Sequence, residues 1–200
     1  MYNSVRKILQ ALYYIQENAH KDNSSRQNIM YLIKLFYFAD RYHIRHFGFL
    51  ASNDIYYAMK KGPVASHALD ILKSNTMRIN SAEVGLLSDI INISEYEVEI
   101  SKQADDELSE SFKEALDFSI KTFGEFSHWI LSDISHDYPE WKKLEEDLKA
   151  SNSLQINIED FFENPKTLAN LNKCNINEDP YAEDEEFLEA MKADFCANPI

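Results

Sequence analysis

The stretch NIMYLIKLFYFADRYHIRHFG, residues Asn28 to Gly48, decides how the rest of the chain is read. A helix laid over Asn28 to Phe47 is apolar around most of its circumference, and such a helix belongs at the centre of a bundle. On a wheel turning about 100° per residue, the clearest polar stripe is Lys34, Arg41 and Arg45. Asp40 and His43 fall instead with Ile29, Ile33, Phe36 and Phe47. The wheel therefore predicts a buried Asp40/His43 pair and an exposed basic stripe. Buried polar groups must be hydrogen-bonded. Asp40 and His43, one turn apart, are spaced to serve each other; alternatively Asp40 receives Lys60 and backbone N–H groups from the KKGPV turn, Lys60 to Val64.

Working outward, Val5, Ile8, Leu9, Leu12 and Ile15 predict an amphipathic helix over residues 4 to 18, with Ser4 as its cap. IYYAMKK (55 to 61) reads as a short extended piece rich in aromatics. Gly62 punctuates the chain, and Pro63 suits the first position of a third helix, where its missing N–H costs nothing. SEYEVEIS (94 to 101) alternates, with Tyr96, Val98 and Ile100 on one side, as a half-exposed strand does. Further helices are expected over 106 to 122, 124 to 135 and 139 to 149, the last opened by Pro139 and buried through Trp141, Leu144 and Leu148. Asn157 is placed to cap a short turn, IEDFFEN. The fold class expected is mainly α: a bundle of about six helices with a small β element, α+β at the margin.

We expect residues 1–164 to form the helical domain and 165–200 an acidic C-terminal segment. There, EDEEFLEAMKADF places Phe187, Leu188, Met191 and Phe195 along one face of a short amphipathic helix. A helix that short needs a surface to lie on, either a partner's or its own domain's.

Composition restricts function. Apolar residues at 44 % and charged residues at 27 % describe an ordinary soluble protein. The sequence shows neither an apolar run of about eighteen residues nor an N-terminal signal pattern, so we expect a cytoplasmic protein without a membrane partner. Cys174 and Cys196 lie too close to one end to staple the domain and are expected as free thiols. A net charge of −14 repels phosphate backbones and argues against direct nucleic-acid binding. The charge is also segregated, +6 over residues 1–80 and −20 over 81–200, and the acidic half suits a basic protein partner. Homo-oligomerisation stays open.

The FADRYHIRHFG cluster (Phe38 to Gly48) has the residue types of a catalytic or metal site. The chain offers no GxSxG, HExxH, CxxC or glycine-rich phosphate loop to complete one. His43 and His46 are about 60° apart on the wheel, and no other residues have ligand spacing. Ser127-His128 and Ser135-His136 are adjacent pairs that point in different directions on a helix. We therefore expect no catalytic residues, metal or cofactor.

Lys34-Leu35, Tyr37 to Asp40, Tyr42-His43, Gly48, Asp54, Ala58-Met59-Lys60, Gly62-Pro63-Val64 and Ser66 together resemble the Panacea domain, also called the SocA-like domain. Downstream, Ser135-His136 and Pro139-Glu140-Trp141 are similar to that family's histidine and "PW" elements. Asn53, Ile55 and Ala65 depart from its usual Gly, Arg or Lys, and Pro; Asn53 still tolerates a left-handed backbone. The resemblance implies a mostly helical domain with a small β element, and a bacterial or phage antitoxin, often on mobile elements. Such antitoxins bind a cognate toxin protein directly; one branch of the family acts as a proteolysis adaptor that delivers its toxin to a AAA+ protease. On this reading Asp40, His43, Lys60, Gly62, Pro63 and Trp141 build the scaffold, fastening the second helix to the AMKKGPV turn. Phe187, Leu188, Met191 and Phe195 are the expected partner-binding residues.

Overall fold

A computed structural model describes residues 2–19, 27–73, 90–101 and 108–197. The elements run α1 (Tyr2–Asn18), β1 (Gln27–Asn28), α2 (Ile29–Phe47), β2 (Tyr56–Met59), β3 (Gly62–Ala65), α3 (Ser66–Leu72), β4 (Ile91–Ser94), β5 (Glu97–Ile100), α4 (Glu110–Phe123), α5 (His128–Ser135), α6 (Pro139–Lys142), β6 (Ser153–Gln155), α7 (Ala169–Lys173) and α8 (Glu185–Ala197). Short 3₁₀ turns occupy Asp147–Lys149 and Ile158–Phe162. The class is mainly α with a small β element, as expected.

Helix α2 is the axis of the molecule. Asn28 caps it by accepting from the backbone N–H groups of Met30 (2.9 Å) and Tyr31 (3.3 Å). Gly48 ends it in the left-handed conformation at φ 84°, its N–H donating back to Ile44. Between these caps almost every side chain is buried. Helices α1, α4 and α5 and strand β3 pack around it, α4 most extensively. Phe38 stacks on Phe123 with ring centroids 4.2 Å apart, Phe36 meets Phe112 edge-on, and the Ser119 hydroxyl donates to the Leu35 carbonyl. Each fully buried Phe or Leu contributes about 1.5–3 kcal/mol, so this one helix organises most of the apolar stabilisation. The predicted face of α1 is inward, with Ile8, Leu9, Leu12 and Ile15 buried.

Two antiparallel sheets of three strands flank the bundle, ordered β1-β5-β4 and β3-β2-β6. Val98 and Ile100 of β5 are buried as the alternation predicts. Tyr96 is not: it sits with Glu95 in the tight turn between β4 and β5, outside the ladder that pairs Ser94 with Glu97, and is 69 % exposed. The Gln16 side chain brackets the Ile100 backbone, donating to its carbonyl and accepting from its N–H.

Pro63 does not open a helix. It lies in β3, opposite Ala58 of β2, after a tight turn at Lys60 and Lys61 that Gly62 closes at φ 94°. β3 is an edge strand of its sheet, where a missing N–H is tolerated. Helix α3 starts three residues later, its first N–H groups held by a distant carboxylate: Asp54 accepts from His67 and Ala68, both at 2.9 Å. The predicted helix over 139 to 149 is one short helix, with Pro139 at its start, followed by turns; Trp141 and Leu148 are buried as expected. The Asn157 cap forms, its side chain accepting from Glu159. Strands β1 and β6 and helix α7 are too short to carry a period of their own and escaped the sequence reading, as did β4, although its four residues alternate.

Candidate functional site

The basic stripe of α2 is fully buried. Lys34, Arg41 and Arg45 have relative exposures of 1 %, 0 % and 0 %, the opposite of the wheel's expectation. The side opposite the Asp40 face is covered by α5, α6 and the chain from Phe161 onward. Arg41 meets Glu140 of α6, its Nη1 donating to both carboxylate oxygens at 2.6 Å, while Tyr37 donates to the same carboxylate at 2.5 Å. The guanidinium lies over the Tyr138 ring, 4.2 Å from its centroid. Burial alone would lower the proton affinity of Arg41, but Glu140, aided by Tyr37, raises it further than burial lowers it. Burial and Glu140 together hold the Tyr37 hydroxyl well above the ordinary tyrosine range.

Arg45 fastens the C-terminal segment. It donates to the carbonyls of Phe161 (3.0 Å), Glu163 (3.1 Å) and Tyr181 (3.0 Å) and to the Asn164 side chain (2.6 Å). Tyr181, itself buried, donates to the Phe38 carbonyl at 3.1 Å. Its hydrogen bonds go to backbone carbonyls and one amide, and burial and the neighbouring Arg41 bring Arg45 down to about 10 against the raising effect of Asp179, Glu140 and Glu183. Asp137 adds a second tie, accepting from the N–H groups of Asn170 (2.8 Å) and Leu171 (3.0 Å) at the start of α7.

Lys34, not Asp40, makes the tie to the KKGPV turn. Its Nζ donates to the Pro63 carbonyl at 2.8 Å, joining α2 to the β2–β3 hairpin. Gly62 is obligatory beside it, because a Cβ there would collide with the Ser135 Oγ and the Lys34 amine. Burial pushes the Lys34 amine well below its ordinary range. Nearby, His136 stacks on Trp141 at 3.7 Å and is lowered to about 4 by burial and by Lys34. Trp141 completes the joint by donating to the Met59 carbonyl at 2.8 Å.

Asp40 and His43 are buried, as expected, but they do not serve each other. Asp40 accepts from the Ser52 N–H at 3.0 Å, from the Ser52 hydroxyl and from the Tyr56 hydroxyl at 2.8 Å. Burial raises this carboxyl to about 6, against the lowering effect of those donors. Lys60 is exposed and does not reach it: the tight turn directs that side chain to solvent, and Ser52 lies closer along the chain. The ring nitrogens of His43 pair with the Phe49 carbonyl (2.8 Å) and the Ser111 hydroxyl (3.0 Å). So Asp40, Arg41, His43 and Arg45 are each committed to structural bonds within the chain, Arg41 and Arg45 sharing the Glu163 carbonyl. His46 pairs with Glu183 at 3.0 Å, and among the described residues no three His, Cys, Asp or Glu side chains are grouped to hold a metal ion.

The four residues of the C-terminal helix are placed unequally. Leu188 is buried against the chain's own body, Phe195 packs on Phe162 and Met191 lies against Gly48. Phe187 is 41 % exposed. Other large exposed apolar side chains are Phe47, Phe49, Ile55, Tyr96, Trp129 and Ile130. One shallow concavity, lined by Tyr57, Val64, Leu69, Asp70 and Lys73 among others, lies against the β2–β3 hairpin and includes none of Lys34, Asp40, Arg41, His43, Arg45 and Glu140. Both cysteines are free. Among the described residues no helix is long and apolar enough to cross a membrane.

Sequence reasoning missed Glu140, Tyr181 and Ser52, the partners that decide the roles of Arg41, Arg45 and Asp40. The signal for Glu140 was present in part: an acid between the proline and tryptophan of a buried helix must find a cation. The model of one protein family, described as antitoxin SocA-like, Panacea domain, matches residues 32–142. That span runs from the N-terminal half of α2 through α6 and contains Lys34, Asp40, Arg41, Gly62 and Glu140. No curated protein and no solved structure matches the chain.

Proposed function

From the premise that this chain belongs to the antitoxin SocA-like, Panacea domain family, we propose that it is the antitoxin of a bacterial or phage toxin–antitoxin pair. It neutralises its cognate toxin by direct protein–protein binding, without catalysis or cofactor. The observation that carries this reading is the family membership. The geometry is compatible with it: the acid, arginines and histidines that resemble an active site in sequence each bond within the chain, at 2.5–3.2 Å, as parts of the scaffold. The acidic surface left outside suits a basic protein and repels nucleic acid.

The test is to express the open reading frame adjacent to this gene with and without the chain. Growth arrest by the neighbour alone, relieved on co-expression and accompanied by co-purification of the two proteins, supports the proposal. Relief without a complex would overturn direct binding. Toxin half-life separates neutralisation by occupancy from delivery to a AAA+ protease: occupancy leaves the half-life unchanged or longer, whereas delivery shortens it.

A further inference from the structure

Two exposed aromatic rings flank the end of α2, and a helix carrying a third closes against the glycine between them. Phe47 and Phe49 flank Gly48 and both pack on His43, with ring centroids 4.7 and 4.8 Å away, while remaining 37 % and 41 % exposed. Met191 of α8 closes against Gly48, its Cε 3.1 Å from where a Cβ on that glycine would stand. Phe187, one turn from Met191 on the same helix, extends this apolar face outward. Trp129, the other strongly exposed large ring of the helices, carries the Lys61 amine 4.2 Å above its ring and so presents a cation with its apolar surface.

The backbone beneath the patch is pinned. Gly48 is held in its left-handed cap, the Phe49 carbonyl is bonded to His43, and His43 is tied onward to Ser111 of α4. Rings presented on an ordered backbone lose little freedom when a partner covers them, which is the condition for an interface hot spot. The rim is acidic. Glu183 pairs with His46, Glu114 accepts from Tyr42, Glu110 stands beside Ser111, and Glu186 precedes Phe187. The cations close by are fewer: Lys113 pairs with Glu110 at 3.5 Å, Lys192 beside Met191 pairs with Glu159 and Glu163 at 3.8 and 3.7 Å, and Lys7 faces His43 from α1.

We infer that the face made by Phe47, Phe49, Met191 and Phe187 is the surface on which this chain receives its toxin, through an apolar projection of that protein rimmed by lysine or arginine. Charge decides the occupant. A second copy would bring the same acidic rim and a net charge of −14 against it, and an anionic lipid surface or nucleic acid would be repelled in the same way. The inference rests on the proposed function, since it names the surface used in that binding. It also divides the C-terminal helix between two tasks: Leu188 and Phe195 hold α8 to the body, and Phe187 with the edge of Met191 faces the partner.

The experiment is calorimetric titration of the full chain with the purified product of the adjacent toxic reading frame. The pair Phe47→Glu and Phe187→Glu is expected to weaken binding at least tenfold with an unchanged thermal midpoint, and Trp129→Glu to leave it within twofold. Affinity of the parent chain should fall as NaCl rises. If the double variant does not fold, Phe187→Ser alone, at an exposed helix position, should weaken binding at least threefold. Binding within twofold of the parent by whichever variant folds would overturn this surface while the proposed function stands. Failure of the parent chain to bind would overturn both. A parent chain that sediments as a dimer, becoming monomeric in the variant, would assign the face to a second copy and overturn the inference.

Discussion

Lys34 and Arg41 stand two turns apart on the same stripe of α2, both are buried completely, and they are held in opposite ways. Arg41 faces a carboxylate that it shares with a tyrosine hydroxyl, beneath an aromatic ring, so its charge is compensated on several sides. Lys34 has one carbonyl and, beyond it, a histidine whose proton affinity it depresses. The first arrangement holds a cation in the interior. The second disfavours the protonated amine, because an ammonium with one neutral acceptor does not recover its hydration. Equal burial thus yields two different joints: an ion pair tying α2 to α6, and a cation without a counter-charge tying α2 to the β2–β3 hairpin.

Replacing each cation by methionine breaks the comparison directly. Arg41→Met strands the Glu140 carboxylate in the interior and is expected to cost about 3–5 kcal/mol of unfolding free energy in a urea titration. Adding Glu140→Leu should recover at least half of that loss, since an apolar pair no longer buries an orphan charge. A cost below about 1 kcal/mol for Arg41→Met alone would mean that the ion pair is not what holds α6.

The joint at Lys34 is limited by space rather than charge, so its most damaging change is at its neighbour. Gly62→Ala places a Cβ at φ 94° against the Ser135 hydroxyl and the lysine amine, with an expected loss of about 2–3 kcal/mol by the same titration. Lys34→Met should shift stability by no more than about 1 kcal/mol at neutral pH, because the lost bond to Pro63 is offset by relief from burying an ammonium. Its signature is in the pH dependence. With the folded-state pKa below the ordinary 10.5, the unfolded chain binds the extra proton, so the parent protein gains stability as pH rises toward 10.5. That gain should be absent from Lys34→Met; its persistence would place the titrating group elsewhere.

The same contrast explains how much could be read in advance. The run from Asn28 to Gly48 announced a central helix, and a cap at either end made its limits legible. The inward placement of Asp40 and His43 was legible too, because they share a face with Ile33 and Phe36. The outward placement of Lys34, Arg41 and Arg45 was wrong for a physical reason. A wheel records the polarity of one helix and assigns polar residues to water, whereas Arg41 is satisfied by a residue 99 positions away and Arg45 by one 136 positions away. Pro63 was misplaced similarly: its fixed φ suits a helix start and an edge strand alike, and only the pairing of β3 with β2 decides between them. Asn53, by contrast, takes the left-handed conformation at φ 55°, as expected of an Asn at that position.

In the parent protein the effects of two further joints partly cancel, because their titrations oppose each other. His136 is lowered from 6.5 to about 4 by burial and by Lys34, so between those values the unfolded chain binds more protons and stability is lost as pH falls. Asp40 is raised from 3.8 to about 6 by burial, so over that interval the folded chain binds more protons and stability is lost as pH rises. Between about pH 4 and 6 the two slopes oppose, each limited to about 1.4 kcal/mol per pH unit. Asp40→Asn should therefore steepen the acid-side loss relative to the parent. His136→Phe, which keeps a ring against Trp141, should make it shallower. Unfolding free energies at pH 4, 5, 6 and 7, taken as differences from the parent, cancel the carboxylates common to all three proteins. Parallel profiles for both variants would mean that neither group titrates in its buried joint.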